Sequence, residues 1–257
     1  MLRRIRLIAR TPILEAVRRR EVYVIVLVTL ALILAASTIR FFHLSALYKF
    51  YHEVALKTIG VATALTVIVL AARQLPREFE RRTIYTLLAK PVSRAEFLIG
   101  RYLGIVAAGT FCLALFLAAF SLGWLVFRAP INWIALAQFA VLQVLGLAVL
   151  AALAFVLSML LNLDAAIVSC VLLFLLGHVL TNALVVLRDY VGGAGRVALI
   201  VMNYCVPQPA LFDLSARVVH DWPPVSAAAM GRAALYAAMF IVPYLAVAYA
   251  LFRRRAL

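Results

Sequence analysis

Apolar runs long enough to cross a lipid bilayer constrain this chain more than anything else in it. A span needs roughly 20 residues of helix. Six stretches qualify, at about residues 22–39, 58–72, 103–127, 133–160, 165–187 and 230–252. The second is the shortest and extends back through Lys57, whose ammonium can snorkel to the interface. Runs of this length are helices, because in lipid each backbone N–H and C=O must be satisfied within its own segment. Hydrophobic residues make up 67% and charged residues 14% of the 257 positions, against roughly 45–50% and 25% in soluble domains. A soluble globule of this size cannot hide that much apolar surface. The expected fold is an all-α polytopic membrane protein of six transmembrane helices, forming a single domain over residues 1–257. Pro243 inside the sixth run marks a kink.

The formal charge is +15, from 25 basic and 10 acidic residues. In a soluble chain this would point to nucleic acid; here the position of the charge matters more, and no nucleic-acid partner is expected. Seven arginines precede the first span, seven basic residues lie between the second and third, and Arg253, Arg254 and Arg255 follow the sixth. With six spans, all three clusters fall on one side. The positive-inside bias then puts both termini in the cytoplasm, at the inner membrane. Residues 3–20 read as an amphipathic helix lying on the anionic leaflet, with Ile5, Ile8, Ile13 and Val17 on one stripe and Arg3, Arg6 and Arg10 on another. They do not resemble a signal peptide, since the run at 22–39 exceeds an h-region of roughly 7–15 residues.

On the opposite side, residues 40–56 read as a modest loop carrying His43, His52 and Glu53. Residues 188–229 read as a large outer loop in which 197–206, too short to span, dips into the outer leaflet or packs over the bundle as a re-entrant segment. Cys112, Cys170 and Cys205 have no metal-binding spacing and read as small core residues. Asp213, His220 and Asp221 also lack ligand spacing and read as a solvated loop, so no metal site is expected.

The most patterned segment is residues 74–104. Pro76 suits the first turn of a helix, with Glu78 and Glu80 near the positive end of its dipole. Phe79, Thr83, Ile84, Leu87 and Leu88 form an apolar face. Pro91 stops that helix. Ser93 with Glu96 three residues later is a capping box that starts another, running through Gly100 and Gly104 into the third span. The expected product is a cytoplasmic helical hairpin over about residues 76–96, whose apolar face needs a partner.

The pattern Glu78-x-Glu80, Thr83, Leu87-Leu88-x-Lys90-Pro91-Val92-Ser93-Arg94 and Gly100-Arg101-x-Leu103-Gly104 resembles the permeases of type-2 ABC exporters. The nearest are those associated with multicopper-enzyme and nitrous-oxide-reductase maturation. Arg82 stands where that family usually has Gly. The resemblance implies a six-span permease that pairs with a second permease copy, identical or related, and binds two ABC ATPase subunits. It implies that Glu78, Glu80, Thr83, Pro91, Ser93 and Arg94 belong to the coupling region contacted by the ATPase; the apolar-face reading adds Phe79 and Leu87, and the capping box adds Glu96. No catalytic residue is expected on this chain. It has no GxxxxGK[ST], and Lys49, Lys57 and Lys90 are its only lysines, none after a glycine. ATP and Mg belong to the partner, and this chain binds no cofactor of its own.

Polar groups at membrane depth are candidates for a substrate path or a subunit interface. They are Gln138 and Gln143 in the fourth span and His178 and Asn182 in the fifth, the latter two sharing a helix face. Such groups also serve as plain interhelical hydrogen bonds. Two other classes compete. A secondary transporter or channel would show charged or broken helices at midplane, and these spans are almost uncharged. An intramembrane protease of the abortive-infection type would use the His178-x-x-x-Asn182 spacing with a paired Glu-Glu, which no span contains.

Overall fold

The computed structural model describes residues 44–80, 93–127, 132–187 and 207–254, together with the isolated positions 27, 31, 192, 193 and 195. The expected first span at 22–39 apart from positions 27 and 31, the amphipathic start at 3–20, the re-entrant segment at 197–206 and the hairpin tip, with Thr83, Leu87 and Pro91, lie outside the described residues.

All the regular elements among the described residues are helical. Helix α1 runs Leu44–Glu80, α2 Arg94–Phe127, α3 Trp133–Leu160 and α4 Leu163–Leu187. A 3-10 turn, Pro209–Phe212, and a short α5, Ser215–Val219, precede the last helix α6, Ala227–Arg254. Among the described residues, four stretches are long and apolar enough to cross a membrane: His52–Gln74, Arg94–Ser121, Trp133–Leu160 and Ala227–Arg254. Leu163–Val179 is a shorter apolar stretch.

The central helix is α3, against which α1, α2, α4 and α6 all pack. Its residues 147–156 are buried without interruption. Four of them are Ala148, Ala151, Ala152 and Ala154, and side chains this small let neighbouring backbones approach closely. The Tyr102 hydroxyl uses that proximity to donate to the Ala148 carbonyl at 3.1 Å. Asn132 caps α3, its side-chain oxygen accepting from the Ala135 amide at 3.1 Å. Outward faces carry Leu172, Leu175 and Val179 on α4 and Leu235, Met239 and Val242 on α6, all well exposed. An apolar surface of this extent suits lipid, not water.

Two expectations are corrected in α1. Residues 44–56 are not a loop: the helix begins at Leu44, and His52 and Glu53 lie within it. No Gly or Pro interrupts that stretch, so nothing local stops the helix. His52 is buried, with its ring 5.2 Å from that of Phe120. The second correction concerns Pro76, which does not open a new helix. It sits inside α1, whose 37 residues continue to Glu80. Proline removes one backbone donor and crowds the carbonyl a turn before it, and here only one further helical turn follows. Helix α6 likewise runs through Pro243 as one element.

The base of α2 is held by its sequence. The Glu96 amide donates to Ser93 Oγ at 3.2 Å and the Ser93 amide to Glu96 Oε2 at 2.9 Å, the reciprocal pair of a capping box. Arg94 Nη1 donates to the Arg253 carbonyl at 3.1 Å, satisfying an orphan acceptor at the end of α6. Phe97 stacks on Phe252 at 6.0 Å. Arg101, assigned from sequence to the basic loop, is instead a buried residue of α2, its guanidinium 5.3 Å from the Phe97 ring centroid.

Candidate functional site

Residues 207–226 form a cap over one end of the bundle, at the end opposite the Ser93 capping box. Small residues in the spans let it seat. A Cβ placed on Gly177 of α4 would lie 2.6 Å from Pro209 Cδ and 2.7 Å from the Pro207 carbonyl oxygen. A Cβ on Gly146 of α3 would lie 3.2 Å from the Phe212 side chain. Phe212 is buried there, with Leu142, Val149 and Phe240 in the same apolar cluster.

Polar pins complete the attachment. Gln138 Nε2 donates to the Val225 carbonyl at 2.9 Å, and the Val225 amide donates to Gln138 Oε1 at 2.8 Å. The Tyr236 hydroxyl accepts from the Gln208 amide at 3.1 Å. Lys57 of α1 donates to Asp213 of the cap, forming an ion pair. The Ser215 amide donates to the other oxygen of Asp213 at 2.9 Å.

Between the cap and the bundle lies a cavity of about 120 Å³. Helix α1 contributes Leu56, Lys57, Gly60 and Val61; α3 contributes Gln143, Gly146, Leu147 and Leu150. Phe174 and His178 of α4 and Pro209, Phe212 and Asp213 of the cap close it. Its polar groups are the ion pair, Gln143 and His178, and the remainder is apolar. Gln143 Nε2 reaches the Gly60 carbonyl at 3.4 Å. His178 Nδ1 lies 3.2 Å from the Phe174 carbonyl, and the two rings meet edge to face at 4.8 Å.

Burial by itself would raise the Asp213 carboxyl, but hydrogen bonds from Lys57 and Ser215 outweigh it and hold the group below the ordinary carboxylate value. A depressed carboxylate stabilises the fold above its unfolded pKa, and that contribution is lost only as pH falls through the lower folded value. The Lys57–Asp213 latch therefore persists on mild acidification.

The structure places the polar candidates differently from one another. Gln143 and His178 come together at the cavity. Gln138 does not join them; both ends of its amide are used by Val225. Asn182 lies on α4 with its side chain outside the described positions, as are those of Glu78, Phe79 and Glu80. The reading of Asp213 as a solvated loop carboxylate is corrected, because it is the partly buried partner of Lys57. Lys57 accordingly does not simply snorkel, and the spans are less neutral than their composition suggests. Among the described residues, no group of three or more His, Cys, Asp or Glu is placed to hold a metal ion. Sequence reading missed Lys57, Phe212 and Asp213 as site residues. A lysine within a span is a signal in itself, but its partner lies 156 positions away.

The sequence model of the family described as "ABC-2 family transporter protein" matches residues 29–257. A search of curated proteins returned no match. The match spans most of the chain, and the chain belongs to the ABC-2 transporter family. It is a multi-pass membrane protein and a permease component of transport.

Proposed function

We propose that this ABC-2 family member is the six-span permease subunit of an ATP-driven exporter, with its termini on the cytoplasmic side of the inner membrane. Two copies, or this chain and a related one, assemble with two ABC ATPase subunits that bind ATP and Mg. The family match over residues 29–257 carries the reading. Residues 76–96 are the coupling element, with Glu78, Phe79, Glu80, Thr83, Leu87, Pro91, Ser93, Arg94 and Glu96 as the ATPase-contacting region. The capping box and the Arg94–Arg253 bond support this role. The capping box fixes the first turn of α2, and the Arg94 bond with the Phe97–Phe252 stack ties it to the end of α6, so force delivered there reaches two bundle helices together.

Two results test the reading. Single-cysteine labelling on a cysteine-free background should leave positions 85 and 255 protected in intact cells and positions 48 and 216, the latter exposed on the cap, labelled; labelling of 255 from outside would overturn the orientation. Ser93→Ala should cost roughly 0.5–2 kcal/mol by loss of the cap. The expected outcome is a lower melting temperature with transport reduced and not abolished, and full transport at an unchanged melting temperature would remove the capping box from the mechanism.

A further inference from the structure

We propose that the cavity under the cap binds the protonated amine of an amphiphile, which displaces Lys57 from Asp213. As a substrate class, this rests on the transport reading above; as a binding site, it stands on the geometry alone.

The ion pair is asymmetric. The Lys57 side chain is 54% exposed and that of Asp213 only 17%. Lys57, close to the end of its span, can therefore swing its ammonium to the membrane interface, whereas Asp213 cannot lose its cation without leaving a mostly buried carboxylate unpaired. An anionic ligand would have to draw Lys57 away and create that unpaired charge. An ammonium ligand replaces like with like: it takes the Asp213 oxygen that Lys57 gives up, while Ser215 keeps the other. The released Lys57, on the open side of the site, then suits a phosphate or carboxylate on the same ligand.

Size and depth agree with this chemistry. A space of about 120 Å³ compares with an engineered cavity of about 150 Å³ that holds benzene. It takes an aminoethyl-sized group, not a whole lipid. Lys57 lies five residues inside the span His52–Gln74, so about 8 Å along the helix from its end, near headgroup depth. Beyond the ion pair the walls are Leu147, Leu150 and Phe174. Val61, on the rim, and Val179, beside His178, are exposed and offer an apolar track for the tail.

The test uses the purified full-length chain in a neutral maltoside detergent, without ATPase or ATP, so that binding is read separately from transport. Probes are octylammonium, dihexanoyl phosphatidylethanolamine and dihexanoyl phosphatidylglycerol, followed by calorimetric titration. Both amines should bind and the anionic lipid should not. Tighter binding of the phosphatidylethanolamine identifies a lipid headgroup as the source of the amine, and tighter binding of octylammonium identifies a free amphiphile. Asp213→Asn should weaken amine binding by roughly tenfold or more, as loss of a charge-assisted contact requires. Lys57→Ala should instead strengthen octylammonium binding, because the internal competitor is gone. That opposite sign is not expected of a purely structural ion pair. Should Asp213→Asn fail to fold, Lys57→Ala alone decides. Unchanged or weaker octylammonium binding in that variant overturns the proposal, as does phosphatidylglycerol binding as tightly as the amines. Absence of amine binding does so without touching the permease reading, which stands or falls on co-purification with an ATPase.

Discussion

Gly177→Ala is expected to lift the cap from the bundle, although it adds a single methyl group. The new Cβ would stand 2.6 Å from Pro209 Cδ and 2.7 Å from the Pro207 carbonyl oxygen. A flexible side chain could swing aside, but a proline ring and a backbone carbonyl cannot. The cost falls in the range of overpacking, about 1–3 kcal/mol, and it falls on one contact. Either α4 moves away from α3 or residues 207–213 move off α4. The second route strains the Lys57–Asp213 pair and the Phe212 contact with Gly146, which belong to the same short segment. Gly231→Ala is the control. It lies in α6 with nothing within 4 Å of the added carbon, and Ala is favoured over Gly within a helix by about 1 kcal/mol. Thermal unfolding of both variants, with protease cleavage within 207–226 as a local reporter, checks the expectation. Gly177→Ala should melt lower and be cut faster, while Gly231→Ala should match or exceed the parent. Equal melting and equal cleavage for Gly177→Ala would show that the cap is not seated on α4.

Leu87→Asp should have the largest effect on transport. Leu87 belongs, with Phe79, Ile84 and Leu88, to the apolar stripe read from the sequence, and that stripe is proposed to enter a groove on the ATPase. A carboxylate carried into such a groove without a partner costs several kcal/mol, and each 1.4 kcal/mol is about tenfold in affinity. ATPase co-purification should therefore fall by roughly tenfold or more, with membrane insertion unchanged, since position 87 falls between the long apolar runs of the sequence. Glu80→Lys should act in the same direction by reversing charge at the contact. ATPase retention and transport rate, measured in parallel with a check of insertion, decide the matter. If Leu87→Asp inserts, holds the ATPase and transports at the parent rate, residues 76–96 are not the coupling element. The family assignment would be untouched by that result.

The helices were legible because their causes are local. The runs at 133–160 and 165–187 stand beside helices Trp133–Leu160 and Leu163–Leu187, because apolar length demands a helix whatever the neighbours do. The capping box was legible for the same reason: Ser93 and Glu96 are three residues apart and need nothing else. Where local reading failed, it trusted weak signals. Polar groups at 49–53 suggested a loop, and Pro76 suggested a start. Helix α1 passes through both, because burial of one face of His52–Gln74 against α2, α3 and α4 outweighs an unfavourable residue.

The site itself was decided by tertiary structure. Gln138, Gln143, His178 and Asn182 looked equivalent as polar groups in apolar runs. Only the approach of the cap separates them, giving Gln138 to Val225 and leaving Gln143 and His178 at a cavity. Lys57 and Asp213 looked unrelated, one near a span end and the other on a loop. Their pairing depends on Gly146 and Gly177 admitting Phe212 and Pro209 to the helix surfaces, which sets the cap at the depth where the carboxylate meets the ammonium. Periodicity and apolar length act over one helix, so the sequence by itself determined a helical, multi-pass membrane protein. Contacts between residues on different elements, far apart in sequence, depend on how closely backbones can approach, and only the packed bundle decided those.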